Sequence, residues 1–225
     1  MRLTILLAAA LLAVTASPAA ATHVAGHKAP EQPPGNLTIK ASSDLIRFGS
    51  SVTLSGKLTG PNAEAKAVAV QADPFPFADF ATVGTVNTDA QGDWTFVHKP
   101  SVNTRYRARQ GGNESGFVTV EVRPFISLRV SDSTPRRGAR VRFFGRLCPE
   151  HDGDPIQLQR RTATGAWRTV RTRTLVDADT QYAGAECSRY SFRVRPRRDG
   201  VFRAWFAGDE DHAAGPSRRR RIDVS

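Results

Sequence analysis

The sequence has few cysteines and none of the familiar catalytic signatures. Its 225 residues include only two cysteines, Cys148 and Cys187, and these lack the Cys-x-x-Cys spacing of a thiol redox site. No Gly-x-Ser-x-Gly, no His-Glu-x-x-His and no phosphate-binding glycine loop occurs. These absences argue against the common hydrolase, metalloprotease and nucleotide-binding sites. We therefore expect a protein that is not an enzyme.

Helical and membrane-spanning patterns are missing beyond the first residues. The apolar run of residues 3–14 follows Arg2 and precedes three alanines at 19–21, which predicts a signal peptide over residues 1–21. Residues 22–35 hold prolines, His23 and His27 but little to bury, which is typical of a flexible linker. No second apolar stretch reaches the roughly 20 residues that a bilayer span needs. We expect a secreted protein without a membrane span.

The chain contains two copies of one long segment. Gly49 and the apolar-x-apolar-x-Gly-x-Leu pattern of residues 52–58 return as Gly138 and residues 141–147, at an offset of 89. A repeat of about 90–100 residues is the size of a domain and is too long for a solenoid unit. We therefore predict two tandem domains, at residues 36–124 and 125–225.

Within each copy, short segments of alternating polar and apolar residues are separated by glycine-rich turns. About seven such segments in roughly 100 residues are the pattern of an antiparallel β-sandwich. The second copy carries a longer loop before Cys187. We expect eight side chains of the first copy to point between its sheets: Val52, Leu54, Val68, Val70, Trp94, Phe96, Tyr106 and Val120.

Several motifs carry a family resemblance. The repeated glycine pattern is followed in the first copy by Thr-Asp-x-x-Gly-x-Trp-x-Phe at residues 88–96, and in the second by Phe-Ala-Gly-Asp at 206–209. The chain resembles the tandem Ig-like sandwich repeats of secreted proteins from high-GC, actinobacterial-type bacteria. The resemblance implies two Ig-like domains that serve as a binding, adhesion or spacer module at the cell envelope. It implies no catalytic residues and no specific nucleic-acid partner.

The strand order that the resemblance implies brings several loops to one end of the second domain. Cys148 ends the second strand and Cys187 precedes the fifth, so we predict a disulfide between them. Carboxylates also collect at this end, where they could hold a structural calcium: Glu150, Asp152, Asp154, Asp209 and Asp211. Neighbouring histidines would suit a transition metal instead. Solvated loop acids are the third interpretation.

The linker at residues 123–125 is very short, so the acidic end of the second domain should face the first domain. The loop of the first domain that carries Phe75, Phe77 and Phe80 should lie at the same junction. These rings could cap their own core, pack against the second domain or form a ligand surface.

The net charge of +11 is unevenly distributed. Residues 125–225 hold 21 arginines, no lysine and 12 acidic residues. This bias suggests an alternative function, the binding of an anionic polymer, although a GC-rich genome also favours arginine over lysine. The arginines expected to point outward from the strands are Arg140, Arg142, Arg171, Arg193, Arg195, Arg203, Arg219 and Arg221.

Overall fold

The computed structural model of the protein describes residues 36–225, and this range consists of strands and turns without a helix. The all-β prediction is confirmed. No segment of the described range is a helix that could cross a bilayer. The predicted signal peptide, residues 1–21, and the predicted linker, residues 22–35, lie outside the described residues.

Residues 36–123, which we call the N-terminal half, form two sheets. The first has the order β1-β3-β6, and the second has the order β2-β9-β7-β4-β5 with β8 paired to β7. Only β2 and β9 pair in parallel among these strands. The strands are β1 (Lys40–Ala41), β2 (Leu45–Arg47), β3 (Val52–Lys57), β4 (Ala67–Pro74), β5 (Ala81–Asn87), β6 (Asp93–His98), β7 (Thr104–Gln110), β8 (Asn113–Glu114) and β9 (Val118–Arg123).

Residues 124–225, the C-terminal half, form two further sheets, which are antiparallel throughout. Their orders are β10-β12-β16-β15, with β11 on β12, and β14-β13-β17-β18, with β19 on β17. The strands are β10 (Phe125–Ile126), β11 (Arg129–Val130), β12 (Val141–Cys148), β13 (Pro155–Arg161), β14 (Trp167–Thr174), β15 (Val176–Tyr182), β16 (Ala185–Val194), β17 (Gly200–Phe206), β18 (Gly215–Pro216) and β19 (Arg220–Ile222).

The sheets of each half enclose a core of alternating strand residues. In the N-terminal half, seven of the eight predicted core side chains are buried, and only Phe96 lies at the margin, where it stacks on His98. The C-terminal core has the same character and centres on Phe143, Phe192 and Phe202. Period-two alternation places these side chains on one face of each sheet.

Two glycines at matching places in the repeat pattern have the same physical role. A Cβ at Gly56 would lie 1.9 Å from the carbonyl oxygen of Thr38, and a Cβ at Gly145 would lie 2.0 Å from that of Ser127. A neighbouring main chain therefore passes directly over each glycine, in the space that any other side chain would fill.

The sequence interpretation of the segment before Cys187 as a loop is wrong, because residues 176–187 belong to a β-hairpin. Tyr182 pairs with Ala185, so Ala183 and Gly184 form a two-residue turn in which both φ angles are positive, 54° and 90°. That is the geometry of a type I′ hairpin turn, for which Asn-Gly is the usual signature. Ala-Gly is an uncommon choice, so the turn left little trace in the sequence.

The predicted disulfide between Cys148 and Cys187 is confirmed. The two Cα atoms are 4.4 Å apart, and both residues are fully buried. The bond joins residues 39 positions apart, and the loop-entropy model assigns about 4 kcal/mol of stabilisation to a loop of that length. It fixes the start of β16 to the end of β12 on the side that faces the N-terminal half.

We expect Gly56→Ala to destabilise the protein by at least about 2 kcal/mol, because the new methyl group overlaps both the main chain at Thr38 and the ring of Trp94. Urea unfolding of the full chain measures the loss. The matched control is Gly112→Ala, where a Cβ meets no atom within 4 Å and we expect a change within about 0.5 kcal/mol. Equal stability of the two variants would contradict the close approach at Gly56.

Candidate functional site

The two halves meet through a network of hydrogen bonds around Asn103. The main-chain N–H of this buried residue donates to the carbonyl of Asp211, at 2.9 Å, and its side-chain amide donates to the carbonyl of Glu210, at 3.3 Å. Its Oδ1 accepts from the main-chain N–H of Val122, at 2.8 Å. One side chain therefore joins the end of the N-terminal half to the loop between β17 and β18.

Two further contacts fix the same loop to the N-terminal half. The N–H of Ala213 donates to the carbonyl of Val122 at 2.9 Å. A ring nitrogen of His212, Nε2, lies 2.9 Å from the carbonyl oxygen of Ser101. The loop is thus held to the N-terminal half mainly through main-chain groups, with one imidazole among the contacts.

An aromatic contact lies on another part of the junction. The ring of Tyr182 stacks on Phe125 with centroids 4.4 Å apart and tilts against Phe48 at 6.3 Å. Gly49 adopts a φ of +86° beneath this ring, and a Cβ there would lie 3.2 Å from it. Tyr182 and the buried disulfide belong to the same hydrophobic cluster as the N-terminal core, so the junction is continuous with that core.

The acidic residues predicted as cation ligands divide into separate groups. Asp209 and Asp211 lie with His151 and His212, and one donor atom from each of these four residues lies within 4.8 Å of the other three. Both imidazoles are buried, with 5% and 2% of their side-chain surface exposed, whereas the carboxylates reach solvent. We call this group the junction cluster.

Each histidine of the junction cluster has one ring nitrogen bound to a main-chain carbonyl. Nδ1 of His151 lies 2.8 Å from the oxygen of Pro149, and Nε2 of His212 bonds to Ser101. The other nitrogens face carboxylates: His151 Nε2 lies 3.1 Å from Asp209, and His212 Nδ1 lies 3.0 Å from Asp211. Neither of these pairs has the alignment of a hydrogen bond.

The electrostatics of the junction cluster favour positive charge. Burial by itself lowers the pKa of His151, but the Asp209 carboxylate and the Pro149 carbonyl outweigh it, so the pKa is raised. Burial likewise raises the pKa of Asp209, but His151, Asp211 and the N–H of His212 oppose it, and the pKa falls well below its ordinary range. The imidazole of His151 therefore sits in a negative field.

The remaining predicted ligands lie elsewhere. Glu150 and Asp152 group with Asp177, and all three are exposed. Desolvation and then the charge of Asp152 raise the pKa of Glu150, and Asp152 accepts a hydrogen bond from the hydroxyl of Ser188. Asp154 belongs to neither group. Calcium binding stays a prediction, and the five carboxylates do not form one set of ligands for it.

Arginines line an open groove at the opposite end of the C-terminal half. Strand β13 begins beside the loop of His151 and ends at Arg161 in this groove, whose main part has a volume of about 880 Å³. We call it the arginine groove. Asp199 is its only acidic residue within the described range, against ten arginines: Arg140, Arg160, Arg161, Arg168, Arg171, Arg193, Arg195, Arg197, Arg198 and Arg221.

Five of the eight predicted arginines belong to this groove: Arg140, Arg171, Arg193, Arg195 and Arg221. The other three stack on aromatic rings outside it. The guanidinium of Arg142 lies 4.1 Å above the ring of Phe144, and that of Arg203 lies between Trp167 and Trp205, at 4.2 and 4.5 Å. Arg219 approaches Trp167 at 5.7 Å. These cation–π contacts hold the three side chains against the sheets.

Sequence reasoning missed the other five groove arginines. Arg197 and Arg198 lie in the connection between β16 and β17, and Arg160, Arg161 and Arg168 lie where β13 and β14 meet. The signal was present, because alternating strands bring these turns to one end of the sandwich, as they bring the acidic loops to the other. The eight arginines predicted from the sequence were all outward strand positions, whereas these five lie at or beside turns.

The phenylalanine loop packs mainly against arginines of its own half. Arg105 lies 4.1 Å above Phe77, and Arg107 lies 4.2 Å above Phe80. Phe75 meets Phe77 edge to face, and its N–H donates to the carbonyl of Asn103. All three rings are half-buried, and the loop reaches the junction through the hydrogen bond from Phe75 to Asn103.

No protein-family model matches the chain, and a comparison with curated proteins finds no relative.

We expect Asn103→Ala to lower the free energy of unfolding by about 1–3 kcal/mol, because the buried N–H of Val122 loses its acceptor. Urea unfolding of the full chain measures this change. Asn113→Ala is the matched control, since that side chain of β8 makes one long hydrogen bond, to Gln110 across the adjoining turn. Its loss should change the free energy of unfolding by no more than about 0.5 kcal/mol. If Asn103→Ala lowers the free energy of unfolding no more than Asn113→Ala does, the junction does not depend on Asn103.

Proposed function

We propose that the protein is an exported, non-catalytic binding module at the cell envelope that takes an anionic polymer into the arginine groove. The observation that carries this proposal is the concentration of ten arginines around one groove that contains a single carboxylate. The proposal unites the two functions that the sequence suggested, an extracellular binding module and a polyanion binder.

The groove arginines are available to a ligand because few of them have partners in the protein. Arg221 pairs with Asp223, Arg160 donates to the carbonyl of Asp199, and Arg161 donates to that of Gly165. Arg195 and Arg197 form no ion pair within residues 36–225, and both are exposed. Unpaired like charges at close range repel one another, and an anion relieves that repulsion.

The shape and the chemistry favour a polymer with repeated anionic groups. The guanidinium group binds phosphate, sulfate or carboxylate oxygens through two parallel hydrogen bonds. The main groove continues into a second one, which shares Val170, Val194, Arg195 and Arg197 with it. An extended chain can contact both parts at once, whereas one small anion would satisfy only a few of the ten side chains.

Two further parts of the proposal concern organisation and export. The equivalent close approaches at Gly56 and Gly145 support a tandem repeat of one Ig-like module. The buried disulfide supports an oxidising compartment, as a signal peptide over residues 1–21 would provide. We propose secretion on these grounds.

We expect the protein to bind heparin, used as a polysulfated probe, with an affinity that falls steeply as salt rises. Counterion release makes the logarithm of the affinity linear in the logarithm of salt. Replacing Arg195 and Arg197 by glutamine removes two contacts and should lower that slope by about 1.4–1.8, as for nucleic-acid chains. Fluorescence anisotropy with labelled heparin across a sodium chloride series measures both slopes.

The control variant replaces Lys40 and Lys99, two exposed lysines of the N-terminal half, by glutamine. It removes the same net charge but leaves the groove intact, so its slope should equal that of the natural protein. If both double variants lose affinity equally, binding follows net charge and the groove is not the site. If the natural protein shows no binding to labelled heparin even at low salt, the proposal fails.

A further inference from the structure

The two buried histidines of the junction cluster are oriented as metal ligands are. His151 and His212 lie with ring centroids 4.8 Å apart. Each donates one ring N–H to a main-chain carbonyl, of Pro149 and Ser101 respectively. A histidine whose one nitrogen is bound in this way presents a lone pair on the other nitrogen, and this arrangement is general among metal-binding histidines.

The free nitrogens need a cation. Nε2 of His151 and Nδ1 of His212 are completely buried, have no hydrogen-bond partner and face the carboxylates of Asp209 and Asp211. An unprotonated ring nitrogen and a carboxylate oxygen are both acceptors, so their approach to 3.1 and 3.0 Å is repulsive. A metal ion between them would turn each of the two repulsions into a pair of ligand bonds.

The geometry points to a site for a divalent transition metal of the zinc type, bound by Nε2 of His151, Nδ1 of His212 and one carboxylate oxygen each of Asp209 and Asp211. One donor atom from each of these four residues lies within 4.8 Å of the other three. Tetrahedral zinc with ligands at about 2.0–2.1 Å holds its donors about 3.4 Å apart. The cluster therefore closes on the ion by small side-chain movements.

The donor set selects against calcium. Calcium takes six to eight oxygen ligands, whereas the junction cluster offers two imidazole nitrogens and two carboxylates. Nitrogen donors with a small coordination number suit zinc and its neighbours in the first transition series. Four protein ligands fill a tetrahedral shell, which is the arrangement of structural rather than catalytic zinc.

The N-terminal half orients one of these ligands, although all four belong to the C-terminal half. The carbonyl of Ser101 fixes the ring of His212, and Asn103 binds the main chain of Glu210 and Asp211. A metal ion would therefore bind most tightly to the junction cluster when the two halves are docked. Its binding would in turn stabilise their docking.

The test is zinc binding by the full, untagged chain after treatment with EDTA and dialysis. Isothermal titration calorimetry should give one zinc ion per chain, and the midpoint of thermal unfolding should rise with zinc but not with calcium. Asp209→Asn and Asp211→Asn should each weaken zinc by at least about 100-fold, because even residues behind the ligands contribute 10- to 100-fold. Cobalt in place of zinc should give the strong visible absorption of a tetrahedral complex.

Two controls separate this site from other sources of zinc binding. Glu210→Gln removes a carboxylate from the same loop without removing a ligand and should bind zinc like the natural chain. Replacing His23 and His27 by glutamine should also leave binding unchanged. The variants are compared in EDTA first, where circular dichroism must show that Asp211→Asn is folded. The proposal is overturned if the natural chain takes up no zinc. It is also overturned if zinc uptake survives both aspartate substitutions, or if uptake depends on His23 and His27.

Discussion

The arrangement of the two halves depends on satisfying buried main-chain groups where they meet. The connection between β9 and β10 is the single residue Pro124, so docking buries the end of β9 along with the loops beside it. The N–H of Val122 is left without a ladder partner there, and Asn103 supplies the acceptor. The same residue then binds the loop that carries Asp211. A hydrophobic side chain at position 103 would leave polar groups of both halves unpaired.

The C-terminal half separates opposite charges along its strands. Strand β13 runs from the junction to the arginine groove over seven residues, a distance of roughly 20–25 Å. Exposed charges that far apart are screened from one another at physiological ionic strength, where the Debye length is about 8 Å. The groove and the junction cluster therefore act as independent electrostatic sites. A cation at the junction cluster would leave the attraction of the groove for an anionic chain unchanged.

Much of the fold was predictable because it rests on period-two alternation, which a buried sheet face enforces locally. The hairpin at Ala183 and Gly184 was not predictable, since its turn uses an alanine at positive φ and few side chains of its strand β15 are buried. The disulfide partners were predictable once loops were assigned to ends. The sequence did not predict that His151 pairs with Asp209 and His212 with Asp211. These pairs depend on ring orientations set by the carbonyls of Pro149 and Ser101.

The two contact regions of the junction restrict different motions. The hydrogen bonds around Asn103 hold the β17–β18 loop, which belongs to one sheet of the C-terminal half, and the ring of Tyr182 holds the other sheet through β15. A hinge rotation about Pro124 would have to break either the hydrogen bonds around Asn103 or the ring contact of Tyr182, because both sheets are attached to the N-terminal half. The arginine groove is therefore presented at a fixed distance and orientation from the N-terminal half. An extended polymer bound in the groove would therefore meet a main chain held in one orientation, and the ordering cost to the protein would be that of the exposed arginine side chains.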